Sequence, residues 1–224
     1  MKKQFYYFIP IFLLLFQSCS KKEVLLPLIS IEGIHEIQNH SSIWVFFEIE
    51  NQDTLAILNK NNKLLNTHWI FNIDKRLPMG KIVPILEDLQ KSRNKDSMHK
   101  KEGMLNYFSY ADQVTNKMSL LNFLSTLYLK NEDDFNNLIN EPLKNRLITL
   151  EIDGNNFILN KKSLDKIKLK ENLDILTEND SIQEPILVLK YRDNLSYQDY
   201  LSAKTYLFHE GFPVDKTEYI YTIK

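Results

Sequence analysis

Two stretches of the sequence decide the fold: residues 71–91, FNIDKRLPMGKIVPILEDLQK, and residues 189–211, LKYRDNLSYQDYLSAKTYLFHEG. Each begins with an apolar segment typical of a β-strand, passes through a short charged turn, and continues with apolar residues at helical spacing. Their similarity predicts that one strand-turn-helix unit occurs twice in the chain.

The composition is that of a globular protein and excludes several classes of function. The 224 residues are 43% hydrophobic and 25% charged, with a formal net charge of -1. This balance leaves no basic field for nucleic acid. The chain has five glycines and neither of the glycine-rich loops that hold nucleotide phosphates. We therefore expect no nucleic-acid partner and no small-molecule cofactor.

The N-terminus has the layout of a secretory signal. Lys2 and Lys3 precede the apolar run FYYFIPIFLLLF at residues 5–16, and the only cysteine, Cys19, follows shortly afterwards. The run is shorter than the roughly 20 residues of a membrane-spanning helix. LLLFQSC resembles the lipobox of bacterial lipoproteins. This resemblance implies that residues 1–19 are a lipoprotein signal peptide with Cys19 as the acylation site, and an ordinary signal peptide is the alternative.

An acylated cysteine bearing diacylglycerol would tether the mature chain to a membrane. We therefore expect a lipoprotein of the bacterial cell envelope that faces the periplasm. Because Ser20 rather than Asp follows Cys19, the outer membrane is the expected site.

The first half of the chain predicts a tether, a partial unit and a connector. Residues 20–42 carry Pro27 and scattered polar residues, which is typical of a tether. IWVFFEIE and TLAILN predict a hairpin, and HWIFNI predicts a third strand, so residues 43–92 are interpreted as a partial first unit. MSLLNFLSTLYL at 118–129 and DDFNNLIN predict helices, which makes residues 93–145 a helical connector or insertion.

Residues 146–224 predict an α+β domain with the element order β-β-α-β-α-β. Apolar residues alternate on both sides of the Asp153-Gly154 turn, which is a strong hairpin signal. A helix is predicted over 163–176, a buried strand at PILVLKY, and a helix capped by Ser196 after it. TEYIYTI is the predicted last strand.

The C-terminal segment resembles the periplasmic domain of the ExbD/TolR family, for which this order of elements is the pattern. The first stretch resembles the family's strand-turn-helix through Asp74, Lys75, Pro78 and Gly80. The resemblance implies a partial duplication of an ExbD/TolR-like unit and a role in dimerisation or in contacts with envelope proteins. The family's proton-coupling aspartate lies in a transmembrane helix, and no acidic residue occurs in residues 5–19, so no proton-motor activity is implied.

Residues that could carry chemistry are dispersed. His35 and His40 flank Glu36 without the i, i+4 spacing that places two metal ligands on one helix face. Asp74 and Lys75 could belong to a catalytic cluster, but polar residues between a strand and a helix are more often turn formers. We expect no catalytic residue and no metal site.

The expected function is therefore that of a non-enzymatic, lipid-anchored protein-interaction module, associated with an ExbB/ExbD/TonB-type or Tol-type transport system. An envelope hydrolase with a dispersed site is the alternative. TEYIYTI is expected to be an open sheet edge, so Tyr219, Ile220 and Tyr221 are the predicted contacts for a second copy or an envelope protein. Asp74 and Lys75 are further candidates. Lys216 and Glu218 are expected to limit indiscriminate pairing.

Overall fold

The computed structural model describes residues 22–59, 61, 63–94, 103–123, 125–141, 146–179 and 185–223. The strands are β1 (Leu28–Ile29), β2 (His40–Glu50), β3 (Asp53–Leu58), β4 (His68–Ile73), β5 (Asn106–Asp112), β6 (Lys117–Phe123), β7 (Leu127–Leu129), β8 (Leu147–Asp153), β9 (Asn156–Leu159), β10 (Lys162–Leu164), β11 (Ile186–Arg192) and β12 (Val214–Tyr221). The helices are α1 (Met79–Asn94), α2 (Glu132–Ile139), α3 (Lys166–Asn179) and α4 (Tyr197–His209). The fold is α+β, as predicted.

The strands form two mixed sheets that repeat one topology. In the first unit, β2 to β6 with α1, the strand order is β3-β2-β4-β5, with β6 beyond β5. In the second unit, β8 to β12 with α3 and α4, the order is β9-β8-β11-β12. Each order consists of an antiparallel hairpin followed by two parallel neighbours. The predicted repetition therefore extends to the whole core of each sheet.

The hairpins follow from local turn chemistry. Asn51 and Gln52 join β2 to β3 with φ angles of 49° and 71°, which is the left-handed geometry of a two-residue type I′ turn. Gly154 turns β8 into β9 at φ 60°. Both connections were readable from the sequence because Asn and Gly tolerate this backbone region better than other residues.

A seam of reciprocal backbone hydrogen bonds joins the two units. Met79 N–H donates to the Leu195 carbonyl at 2.8 Å, and its counterpart Tyr197 N–H donates to the Leu77 carbonyl at 2.8 Å. When the two quoted stretches are aligned, Met79 corresponds to Tyr197 and Leu77 corresponds to Leu195. Such exchange is the mark of a two-fold interface. The two units are thus packed as an internal pseudo-dimer.

A second reciprocal pair extends the seam. Gly80 N–H donates to the Asp193 carbonyl at 2.7 Å, and Gln198 N–H donates to the Lys75 carbonyl at 3.2 Å. These amides belong to the first turns of α1 and α4, where backbone N–H groups have no partner inside the helix. Each helix start is therefore capped by the turn of the other unit.

One apolar core spans the seam. The largest buried cluster contains side chains from both units, and the rings of Phe108 and Tyr197 meet at 5.9 Å between centroids. Leu77 and Leu195, which are equivalent in the two turns, are both buried in this cluster. Burial of these side chains adds a hydrophobic contribution to the backbone bonds of the seam.

The helical interpretation of residues 118–129 is wrong, because the residues up to Phe123 belong to β6 and Leu127–Leu129 form β7. β6 is buried on both faces: Leu120 packs with Ile70, while Leu121 belongs to the main core. A strand covered on both faces reads as a continuous apolar run, and such a run does not distinguish a strand from a buried helix.

The boundaries of the connector and the tether also change. Within residues 93–145, the only described helices are α2 and the last residues of α1, and β5 and β6 belong to the first unit. Within the predicted tether, β1 pairs with β5, and Ile34 exchanges two backbone hydrogen bonds with Leu120. These residues therefore belong to the folded body.

The seam predicts a specific intolerance at Gly80. A Cβ atom there would lie 3.1 Å from the Asp193 carbonyl oxygen and 3.0 Å from its Cβ atom, so the helix start would have to retreat from its acceptor. We expect Gly80→Ala to lower the free energy of unfolding by about 1–3 kcal/mol, the usual range for overpacking. Chemical denaturation measures this, with exposed Lys81→Ala as the control. Equal stability of the two variants would show that the close approach is not required.

Candidate functional site

A cluster of buried polar side chains lies in the second unit, around Glu218 on β12. Glu218 is 1% exposed, and its carboxylate accepts from Lys204 Nζ at 2.8 Å and from the Tyr191 hydroxyl at 2.7 Å. The Tyr200 hydroxyl donates to the same carboxylate at 3.1 Å. A buried carboxylate is stable only when paired and hydrogen-bonded in this way.

The first unit has an apolar version of the same site. Alignment of the quoted stretches and the sheet registers places Phe108 opposite Phe71, as Glu218 lies opposite Leu189. The partners correspond likewise, and all four apolar counterparts are buried: Ile73 for Tyr191, Ile82 for Tyr200, Leu86 for Lys204 and Phe108 for Glu218. The fold therefore does not require charges here, and the polar cluster is a property of the second unit alone.

Burial also sets the protonation state of the tyrosines around this carboxylate. Desolvation, with the nearby Glu218 charge, raises the pKa of Tyr191 and Tyr200 well above the ordinary value of 10.0. Desolvation likewise raises the pKa of Tyr128, from β7, and of Tyr197 well above that value. These four phenols therefore stay neutral in the folded protein at physiological pH.

A cavity of about 210 Å³ opens beside the cluster, between the end of β6 and the end of α4. Its walls are mainly apolar and include Phe123, Phe208 and Phe212, and Lys204 is the cluster member that reaches it. Lys204 is already bonded to Glu218 and Tyr200, and no histidine or cysteine lies among the described lining residues.

The main open sheet edge is β3, and not the C-terminal strand. β3 has β2 on one side and, among the described residues, no strand on the other. The remaining edges are short or partly covered. β10 and β7 have three residues each, and the Gln90 side chain bonds to both backbone groups of Thr126 before β7. β6 has seven residues, and Ile34 exchanges two backbone hydrogen bonds with Leu120 in its middle. β3 thus presents the main unpaired backbone surface of the described chain.

The prediction that TEYIYTI is an open edge is wrong, because β7 pairs with β12 from Thr217 to Tyr219. Tyr219 is buried and stacks on Phe135, with ring centroids 4.5 Å apart. Ile220 is buried in the main core, and the Tyr221 hydroxyl donates to Glu151 at 2.5 Å. These side chains support the second sheet and do not form an uncovered surface.

The predicted role of Glu218 as an edge guard is also wrong, since its side chain points into the core. Sequence reasoning missed the cluster because Glu218 lies in the alternating run TEYIYTI, where a charged residue usually faces solvent. The available signal was the helical spacing of Tyr197, Tyr200 and Lys204 in YQDYLSAKTYLF, because their first-unit counterparts Met79, Ile82 and Leu86 are apolar.

Asp74 holds the turn before α1 and also fixes the N-terminal segment. Its buried carboxylate accepts from Arg76 Nε at 2.9 Å and from the Leu25 backbone N–H at 3.0 Å. Burial alone would raise the pKa of Asp74, but the hydrogen bonds from Arg76 and Leu25 hold it below its usual value. Lys75 is half-exposed, and its backbone bonds to Leu25 and Gln198. Both residues therefore have structural roles in the turn.

The described residues can also be compared with the predictions about metal binding and membrane attachment. The described part of the chain contains no group of three His, Cys, Asp or Glu side chains that could hold a metal ion. No helix among the described residues is both long enough and apolar enough to cross a membrane. Cys19 lies outside the described residues.

Comparisons with protein-family models, curated proteins and solved structures give no match.

The Lys204–Glu218 ion pair predicts that a second substitution restores part of the stability that a first one removes. Lys204→Met leaves the Glu218 carboxylate buried without its counter-charge, which typically destabilises a protein by about 3–5 kcal/mol. Adding Glu218→Gln removes that charge while keeping an acceptor for the tyrosines. We expect the double variant to be more stable than Lys204→Met alone, as measured by chemical denaturation. As a control, Lys170→Met, which breaks an exposed pair with Glu210, should cost less than about 1 kcal/mol. Additive losses in the double variant would contradict the account.

The buried phenols predict loss of stability in alkali. Because their folded-state pKa values lie above the unfolded value near 10, the unfolded chain releases phenolic protons first as the pH rises. The stabilisation that comes from burying the neutral phenols is fully present below about pH 10, and it decreases as the pH rises above that value. The Tyr197 hydroxyl has no hydrogen-bond partner among the described residues, so Tyr197→Phe removes one titrating group cleanly. Its unfolding free energy should fall with pH less steeply, by about 1.4 kcal/mol per pH unit. An unchanged slope would refute the burial argument.

Proposed function

We propose that this chain is a non-enzymatic, lipid-anchored envelope protein that binds other protein chains through the open edge of β3. The observation that carries the proposal is the edge itself: five half-buried, uncharged residues follow Asp53 in β3, and no described strand lies on their outer side. An open edge supplies directional main-chain donors and acceptors for an added strand. The proposal moves the binding edge from the C-terminal strand to β3.

The order of elements supports an ExbD/TolR-like identity for the second unit. β8, β9, α3, β11, α4 and β12 follow the predicted β-β-α-β-α-β order, with only the short β10 added. The resemblance therefore remains part of the proposal, together with an association with ExbB/ExbD/TonB-type or Tol-type transport systems. In this proposal two such units are fused in one chain, so the two-fold contact between them needs no second molecule.

The fixed N-terminal segment limits how far the protein would extend from a membrane. Leu25 is held by Asp74 and Lys75, and an extended chain spans at most about 3.6 Å per residue. An acyl group on Cys19 would therefore lie within roughly 22 Å of the Leu25 backbone. The proposed anchor would hold the folded body close to the bilayer, at the outer membrane, where its edge meets other envelope proteins.

The anchoring part of the proposal is tested by Cys19→Ser. We expect the variant to be exported without its acyl chains, and to leave the membrane fraction for the soluble periplasmic fraction, because one or more buried acyl chains provide the membrane affinity. Fractionation followed by immunoblotting measures the change, with Ser18→Ala as the matched control. Retention of Cys19→Ser in the membrane would contradict lipid anchoring.

The binding part is tested by Ala56→Pro at the centre of β3. Proline removes one edge donor and is tolerated on edge strands whose N–H faces solvent. We expect the variant to fold, as checked by circular dichroism, and to lose partners that wild type retains in a membrane pull-down analysed by mass spectrometry. Ile167→Ala, at a 73% exposed position on α3, is the control for surface change. A folded proline variant that retains every partner would defeat binding through this edge.

A further inference from the structure

The hydrogen-bond pattern of the β2–β3 hairpin defines which groups of β3 are free. Asn59 N–H donates to the Trp44 carbonyl at 2.9 Å, and the same register pairs Leu58 with Val45. In an antiparallel pair, alternate residues turn their N–H and C=O groups toward the partner. Asn59 faces β2, so Leu58, Ala56 and Thr54 turn theirs away from it. None of these outward groups has a hydrogen-bond partner in the described chain.

These three residues are arranged symmetrically about Ala56. When two β3 strands are placed antiparallel with Ala56 opposite its own copy, Thr54 lies opposite Leu58 of the other copy. Every outward donor then meets an outward acceptor, because the bonded residues of one strand coincide with those of the other. The edge is therefore complementary to itself, as an isologous two-fold contact requires.

The side chains allow this contact. TLAIL contains no proline and no lysine or other charged residue of the kind that protects an edge from pairing. Asp53 falls opposite Asn59 of the other copy, so no like charges face each other. The second unit covers the outer side of its corresponding strand: β9 has the antiparallel strand β10 beside it. The first unit lacks an equivalent of β10 among its described residues.

We infer that the first unit's edge is completed by a second copy of this chain, through an antiparallel β3–β3 contact centred on Ala56. This inference rests on the proposed function and names the partner at its binding edge. The contact joins the first sheets of two molecules into one continuous sheet. Because the pseudo-two-fold seam lies within each chain, the resulting dimer contains four structural units.

Cysteine cross-linking tests the register. In the full-length chain carrying Cys19→Ser, an introduced cysteine is the only thiol. Ala56→Cys places two thiols on residues with Cα atoms about 5.5 Å apart, within the range of roughly 4.4–6.8 Å that a disulfide spans. Thr54→Cys is the matched control, because it lies about 14 Å from its own copy in this register and cannot be bridged. We expect oxidation to give a covalent dimer with Ala56→Cys only.

The results separate this inference from the proposed function. A covalent dimer from Ala56→Cys but not Thr54→Cys, together with a cysteine-free dimer in analytical ultracentrifugation that Ala56→Pro dissociates, establishes the contact. Equal cross-linking of both cysteine variants, or monomers throughout, overturns it. If monomers are found while Ala56→Pro still loses a specific envelope partner, the edge binds another protein and only the second-copy inference fails. If partner capture is also unchanged, both fail.

Discussion

The backbone N–H groups at a helix start need acceptors, and the structure depends on how this chain supplies them. Neither α1 nor α4 obtains the acceptors for its first two amides from its own unit; each takes them from the turn of the other. Tyr197 N–H and Met79 N–H are therefore satisfied only when the two units are together. An unsatisfied buried N–H costs free energy comparable to a lost hydrogen bond, so the units stabilise each other.

The two units share a topology but differ in the chemistry of their cores. The core position between the sheet and the helix is filled by Phe108 in the first unit and by Glu218 in the second, with equivalent neighbours changed in the same sense. Replacing apolar packing with a buried ion pair is seldom favourable for stability alone. The polar cluster gives the second unit a site with defined hydrogen-bond geometry. The contrast between this site and its apolar counterpart is visible because both units occur in one chain.

Much of the architecture was readable from the sequence because it is determined locally. The turns at Asn51 and Gly154, the Ser196 cap and the alternation in β8 each depend on neighbouring residues. The features that sequence reasoning missed depend on contacts between distant segments. Whether β12 is an edge depends on β7, whose apolar residues resemble a helix in isolation. The environment of Glu218 likewise depends on Lys204 and two tyrosines brought to it by α4 and β11.

Native-state hydrogen exchange at the seam tests the central claim most directly. Protection of an amide reports the free energy of the opening that exposes it. If the units cap each other, the amides of Met79, Gly80, Tyr197 and Gln198 should all exchange with the same high protection, close to that of global unfolding, because none can open unless the units separate. Rapid exchange at these four amides, or slow exchange at one helix start and rapid exchange at the other, would contradict reciprocal capping.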